Sequence, residues 1–159
     1  MRVKRSRPIL VRPAPGSASQ ARVALCHGVR PAALGRFPVR QVLYRPDRIL
    51  RPRTQIPVHA IRRHDGWCDD PADRNYNRLI RLPSRRSAEG LKRPDHLYDL
   101  VLVLGYNDRP RVKGKGSAIF VHLARSGFSP TDGCIALTRH DLTMLLAQLK
   151  PGSELVVMR

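Results

Sequence analysis

The stretch Ser117-Ala118-Ile119-Phe120-Val121-His122-Leu123, then Ser126-Gly127-Phe128-Ser129-Pro130-Thr131-Asp132-Gly133, then Cys134-Ile135-Ala136-Leu137, organises the reading of this chain. Its first part alternates as a strand: Ile119, Val121 and Leu123 point one way, Phe120, His122 and Ala124 the other. Its middle is a small polar loop, and its end places a cysteine directly after a glycine. A strand histidine and a cysteine twelve positions later are the parts of a Cys–His nucleophilic site. A free thiol ionises near about pH 8.5, and an imidazole beside it can take its proton. Glycine lets the backbone approach a carbonyl closely. The N–H groups of Gly133 and Cys134 are then the candidate oxyanion donors. On spacing alone, a structural histidine and a small buried thiol remain the simpler reading.

Working outward, Leu97–Leu104 is a mostly apolar run, as expected of a strand covered on both faces. Tyr106–Pro110 is a turn, and Gly114 and Gly116 give a flexible approach to the histidine strand. On the other side, Thr138-x-x-Asp141 resembles a capping box with Asp in place of Glu. Leu142, Leu145, Leu146 and Leu149 then form one helical face, and Lys150-Pro151-Gly152 ends the helix. Glu154–Met158 reads as a closing strand. Upstream, strands are expected at Ile9–Val11, Ala21–Val29 and Phe37–Tyr44. Between 45 and 96, frequent prolines exclude long helices and predict an irregular excursion with one short element near Ser84–Leu91. Within it, Asp69, Asp70 and Asp73 lack the alternating oxygen ligands of a calcium loop, so turn and cap chemistry is the better reading. The sum is a mainly β, largely antiparallel single domain over residues 1–159, with one packed helix and a basic, partly irregular segment at 1–20.

The chain has 159 residues and a formal net charge of +18. Residues 1–63 hold 15 Lys and Arg against Asp47 alone. That balance fits a solvated arginine-rich surface first, with attraction to acidic polymers or nucleic acid as alternatives. No basic–aromatic interleaving suggests base stacking, so nucleic acid is not expected. No apolar run approaches a membrane span, and Ile9-Leu10-Val11 is too short for a signal-peptide core. Cys26, Cys68 and Cys134 have no zinc-ligand spacing. Pairing of Cys26 with Cys68 stays open on sequence grounds.

The wording of the opening stretch adds more than its spacing. Gly116–His122 followed by Thr131-Asp132-Gly133-Cys134-Ile135-Ala136-Leu137 resembles the signature of the L,D-transpeptidases: a strand histidine, a short loop, then Ser/Thr-x-Gly-Cys and an aliphatic residue. The likeness covers roughly residues 37–158, and Asp65–Asn77 looks like a small-protein branch of that family. The resemblance implies a β-sandwich with one helix after the cysteine, and an enzyme acting on peptidoglycan stem peptides. By position, Cys134 is the nucleophile and His122 the base, with Gly133 and Cys134 as backbone donors and Thr131 and Asp132 on the substrate side. It implies no metal, no organic cofactor and a location in the cell envelope or periplasm. Two rival functions remain: an L,D-carboxypeptidase using water, and a non-catalytic basic module binding wall polymer or nucleic acid. The chain departs from the pattern at Asp132 and Ala136, where many members carry a basic residue or histidine and an arginine. It also departs near Gly35–Phe37, where the usual upstream segment is shortened and a weakened first sheet is expected.

Overall fold

A computed structural model describes residues 10–13, 34–125 and 134–158. The strands are β1 (Leu10–Pro13), β2 (Gly35–Tyr44), β3 (Val58–Ala60), β4 (Asp65–Cys68), β5 (Leu79–Arg81), β6 (Ala88–Gly90), β7 (Leu100–Leu104), β8 (Ile119–Leu123), β9 (Ile135–Leu137) and β10 (Glu154–Met158). One helix, α1 (Arg139–Gln148), lies between β9 and β10. Seven strands form a sheet in the order β1-β10-β2-β7-β8-β9, with β3 also on β2. A second sheet of three strands has the order β5-β4-β6. The fold is thus mainly β, a sandwich of two sheets with one helix among the described residues.

The alternation of β8 explains the layering. Ile119, Val121 and Leu123 join the larger core with Leu142, Leu145, Leu146 and Leu149 of the helical segment. Phe120 faces the opposite core with Trp67, Leu91 and Tyr98, beneath the small sheet. Burying each such leucine is worth about 1.5–3 kcal/mol, so the helix is held by its apolar face rather than by its propensity. Its start is set by Thr138, whose hydroxyl oxygen accepts from the Asp141 N–H at 3.1 Å and whose O–H donates to the Asp141 carboxylate at 2.6 Å. Leu149 caps the other end, directly before Lys150-Pro151-Gly152.

Several expectations are adjusted. The excursion at 45–96 is mostly turns and bends, as expected, with β6 where a short element was expected, but it also holds β3 to β5, so four strands of three or four residues lie within it. Such strands are too short to show a period, and their pairings are non-local. The pairings are largely antiparallel, as expected, with β2–β3 and β8–β9 parallel. At Gly35–Phe37 the strand is paired, Gly35 to Val157 and Phe37 to Leu155, while the upstream segment expected to be shortened lies outside the described residues. The strand expected to begin at Ser117 begins at Ile119, because Ala118 has φ +41° and leaves the β region. Cys68 is a free thiol and fully buried. The Ala21–Val29 strand, Cys26 and most of 1–20 lie outside the described residues. Asp70 and Asp73 act as turn residues, as expected: their carboxylates accept from the N–H of Ala72 and Asn75 at 2.8 and 2.7 Å.

Candidate active site

His122 sits on β8, one strand in from the β9 edge of the large sheet, in register with Val101 of β7 and Ala136 of β9. Residues two apart on a strand share a face. Cys134, two before Ala136, therefore projects to the same side as His122. Both line a single cavity of about 340 Å³ between the large sheet and the small one. Cys134 is partly buried and His122 almost wholly so. The structure thus brings together the two residues singled out in the sequence. Gly133, Thr131 and Asp132 lie outside the described residues.

The proton on His122 can be assigned. Its Nδ1 lies 2.8 Å from the carbonyl oxygen of Leu123, which only accepts, so Nδ1 carries the hydrogen. In the neutral ring Nε2 is then the free base. Burial pushes the pKa of this imidazole below its ordinary value, and the Arg93 and Arg125 guanidiniums push the same way. The Leu123 carbonyl and the Asp95 carboxylate oppose them without prevailing. A neutral histidine with a defined tautomer is the outcome.

An aromatic and ionic wall surrounds the pair. The Tyr98 ring lies 5.6 Å from the His122 ring, and Phe120 meets both Trp67 and Tyr98 edge-on. The Tyr98 hydroxyl donates to Glu89 at 2.8 Å. Burial, reinforced by that carboxylate, drives the phenol far above its ordinary range, so it stays protonated. Arg93 stacks over the Tyr98 ring at 5.1 Å and grips Asp95 with a fork of 2.9 and 2.7 Å. Arg125, also on the cavity, approaches Asp95 less closely, at 3.8 Å. The 93–99 segment is clamped in turn. Arg45 donates to the Arg93 carbonyl at 2.7 Å and Arg48 to that of Asp95 at 2.6 Å. Buried Asp99 receives Arg48 and His96 at 2.9 and 2.8 Å, and Arg139 of α1 at 3.5 Å. Burial alone would raise the Asp99 carboxyl, but the His96 and Arg48 hydrogen bonds outweigh it and hold it low.

Asn77, passed over in the sequence as part of a turn-rich run, braces the far wall. Its Oδ1 accepts from Trp67 Nε1 at 3.1 Å and from the Ala118 N–H at 2.8 Å. Its Nδ2 donates to the carbonyls of Tyr106 and Asn107, both at 2.8 Å. It has φ +57°, which asparagine tolerates better than most residues. Truncating Asn77 to alanine leaves these buried groups unmatched. We expect a loss of about 3 kcal/mol in urea unfolding, since each buried group left unpaired costs about 1–3 kcal/mol. An unchanged midpoint would show that Asn77 is no brace. No single-residue signal marks Asn77, Trp67, Tyr98, Glu89, Arg93 or Arg125 in the sequence, because their partners are assembled only by the small sheet and the 93–99 segment.

Among the described residues no group of three or more His, Cys, Asp or Glu is placed to hold a metal ion, and no helix is long and apolar enough to cross a membrane. What the site offers is a thiol and a neutral base in one walled cavity, on a rigid β scaffold. Those are the parts of a cysteine-dependent acyl-transfer centre. Residues 10–158 match the family model of the L,D-transpeptidase catalytic domain, YkuD. The chain belongs to that family of cysteine transpeptidases, which acts on peptidoglycan. No curated protein and no solved structure gives a significant match.

Proposed function

We propose that the protein is a peptidoglycan L,D-transpeptidase that works through Cys134 and His122. The observation that carries this reading is the shared cavity, in which His122 has Nδ1–H committed to Leu123 and Nε2 left as base. In the proposed cycle, Nε2 takes the proton of the Cys134 thiol as the sulfur attacks the carbonyl between an L- and a D-centre of a stem peptide. The S–C bond forms, and the backbone N–H groups of Gly133 and Cys134 hold the oxyanion. The C–N bond then breaks, the leaving amine takes the proton from His122, and a thioester remains. An amine of a second stem peptide attacks the thioester, gives a proton to His122 and releases the thiol, making a 3–3 cross-link. Thr131 and Asp132 are the substrate-side residues in this reading, and the cell envelope is where the substrate lies.

Mass spectrometry of a tetrapeptide donor, with and without an amine acceptor, tests it. A cross-linked dimer with loss of the terminal D-residue is the expected result. Tripeptide alone would assign the carboxypeptidase reaction instead. Unchanged donor with no acyl-enzyme would overturn both.

A further inference from the structure

Trp67 borders a second cavity, of about 210 Å³, that holds neither Cys134 nor His122. Its charged lining is Arg40, Arg78, Arg111 and Asp108. The one carboxylate there is already used: Arg40 Nε reaches Asp108 at 2.7 Å. Gly105 makes room for that pose, since a Cβ on it would fall 2.7 Å from Arg40 Nε. Among the described residues, neither Arg78 nor Arg111 has a carboxylate within 4.0 Å. Arg111 makes only a long contact, 3.5 Å, to the Asn77 carbonyl. Although the Arg78 and Arg111 side chains are both exposed, the desolvation Arg111 does suffer and the neighbouring Arg78 lower its pKa, against the pull of Asp108. Two crowded guanidiniums beside a neutralised carboxylate leave a net positive cleft, and guanidiniums match the paired oxygens of an oxyanion.

We propose that this cleft is an oxyanion-binding site, taking a carboxylate or phosphate group carried on a larger ligand, across Trp67 from the thiol. Its volume admits a small charged group and little more. Arg78 and Arg111 make the contacts, while Arg40 and Asp108 shape the wall. The site needs no chemistry at Cys134.

Trp67 is the sole tryptophan and borders both cavities, so its emission responds to binding in either, and the arginine variants locate the site. The full chain is titrated with sodium pyrophosphate and, separately, with tricarballylate, at ionic strength held constant with potassium chloride. We expect a saturable change whose midpoint rises at least about tenfold in R78Q/R111Q, as losing charged hydrogen bonds requires. The midpoint should stay put in R51Q/R53Q, which removes equal charge from an exposed segment, and in C134A. The tighter probe identifies phosphate or carboxylate as the preferred group. Equal weakening in both arginine pairs would overturn the site in favour of diffuse charge. If emission stays flat, calorimetry on the same samples decides, and the absence of saturable heat also overturns it. Retained binding in a chain whose thiol proves inert would sink the transpeptidase reading alone.

Discussion

Replacing Cys134 with alanine will abolish covalent capture of a carbapenem by the native chain and remove the iodoacetamide label from the peptide that carries position 134. At that peptide the loss is complete, and the other described thiol does not take over the reaction. Cys68 is fully buried, and burial raises its pKa, with the Asp73, Asp69 and Asp70 carboxylates adding to the rise. Both factors suppress the thiolate that would react. Cys134 instead opens onto the cavity that holds His122. Peptide mapping of the parent should therefore place the label on Cys134 and spare Cys68 until the chain is denatured. Equal labelling of the C134A variant and the parent would remove the basis for an activated thiol.

Replacing His122 with glutamine should lower acyl-enzyme formation by about 10²–10⁴-fold, the range general acid–base catalysis supplies. The pH profile separates this loss from a loss of shape. Burial holds the His122 pKa below its ordinary 6.5, so the base form persists as pH falls through that value. The sign follows: the parent's alkylation rate should hold down to below pH 6.5 and fall only as the imidazole protonates. In H122Q the rate should instead lose that plateau and rise continuously with pH, as expected of a thiol with no base beside it. Superimposable profiles would mean that His122 takes no proton from Cys134. Burial also disfavours a resting imidazolium, so in the proposed cycle the proton moves to His122 during attack.

Local periodicity made much of this legible beforehand. The two-faced pattern of Ile119–Leu123 set the strand, its two cores and the side taken by His122. The Thr138–Asp141 cap and the leucine spacing fixed the helix, and the words around Gly133-Cys134 gave the family. The small sheet was not legible. Asp65–Cys68, Leu79–Arg81 and Ala88–Gly90 are too brief to carry a period, and each is a strand only because the others are there. The wall of the site followed it out of sight. Glu89 reaches Tyr98 because β6 sets it opposite Trp67, a pairing across 22 positions that no local pattern announces. In the Asp65–Asn77 run Asp70 and Asp73 serve turns, while Trp67 and Asn77 do the bracing.

The parallel pairing of β8 with β9 also governs which length changes the chain can absorb. Val121, His122 and Leu123 stand against Ile135, Ala136 and Leu137, and the Thr138 cap follows at once. Between Cys134 and Thr138 there is no slack. One added residue there would invert the parity of the strand and turn the thiol toward the helix layer, and two would restore its side. Across these three positions, insertions and deletions are readable only in even steps.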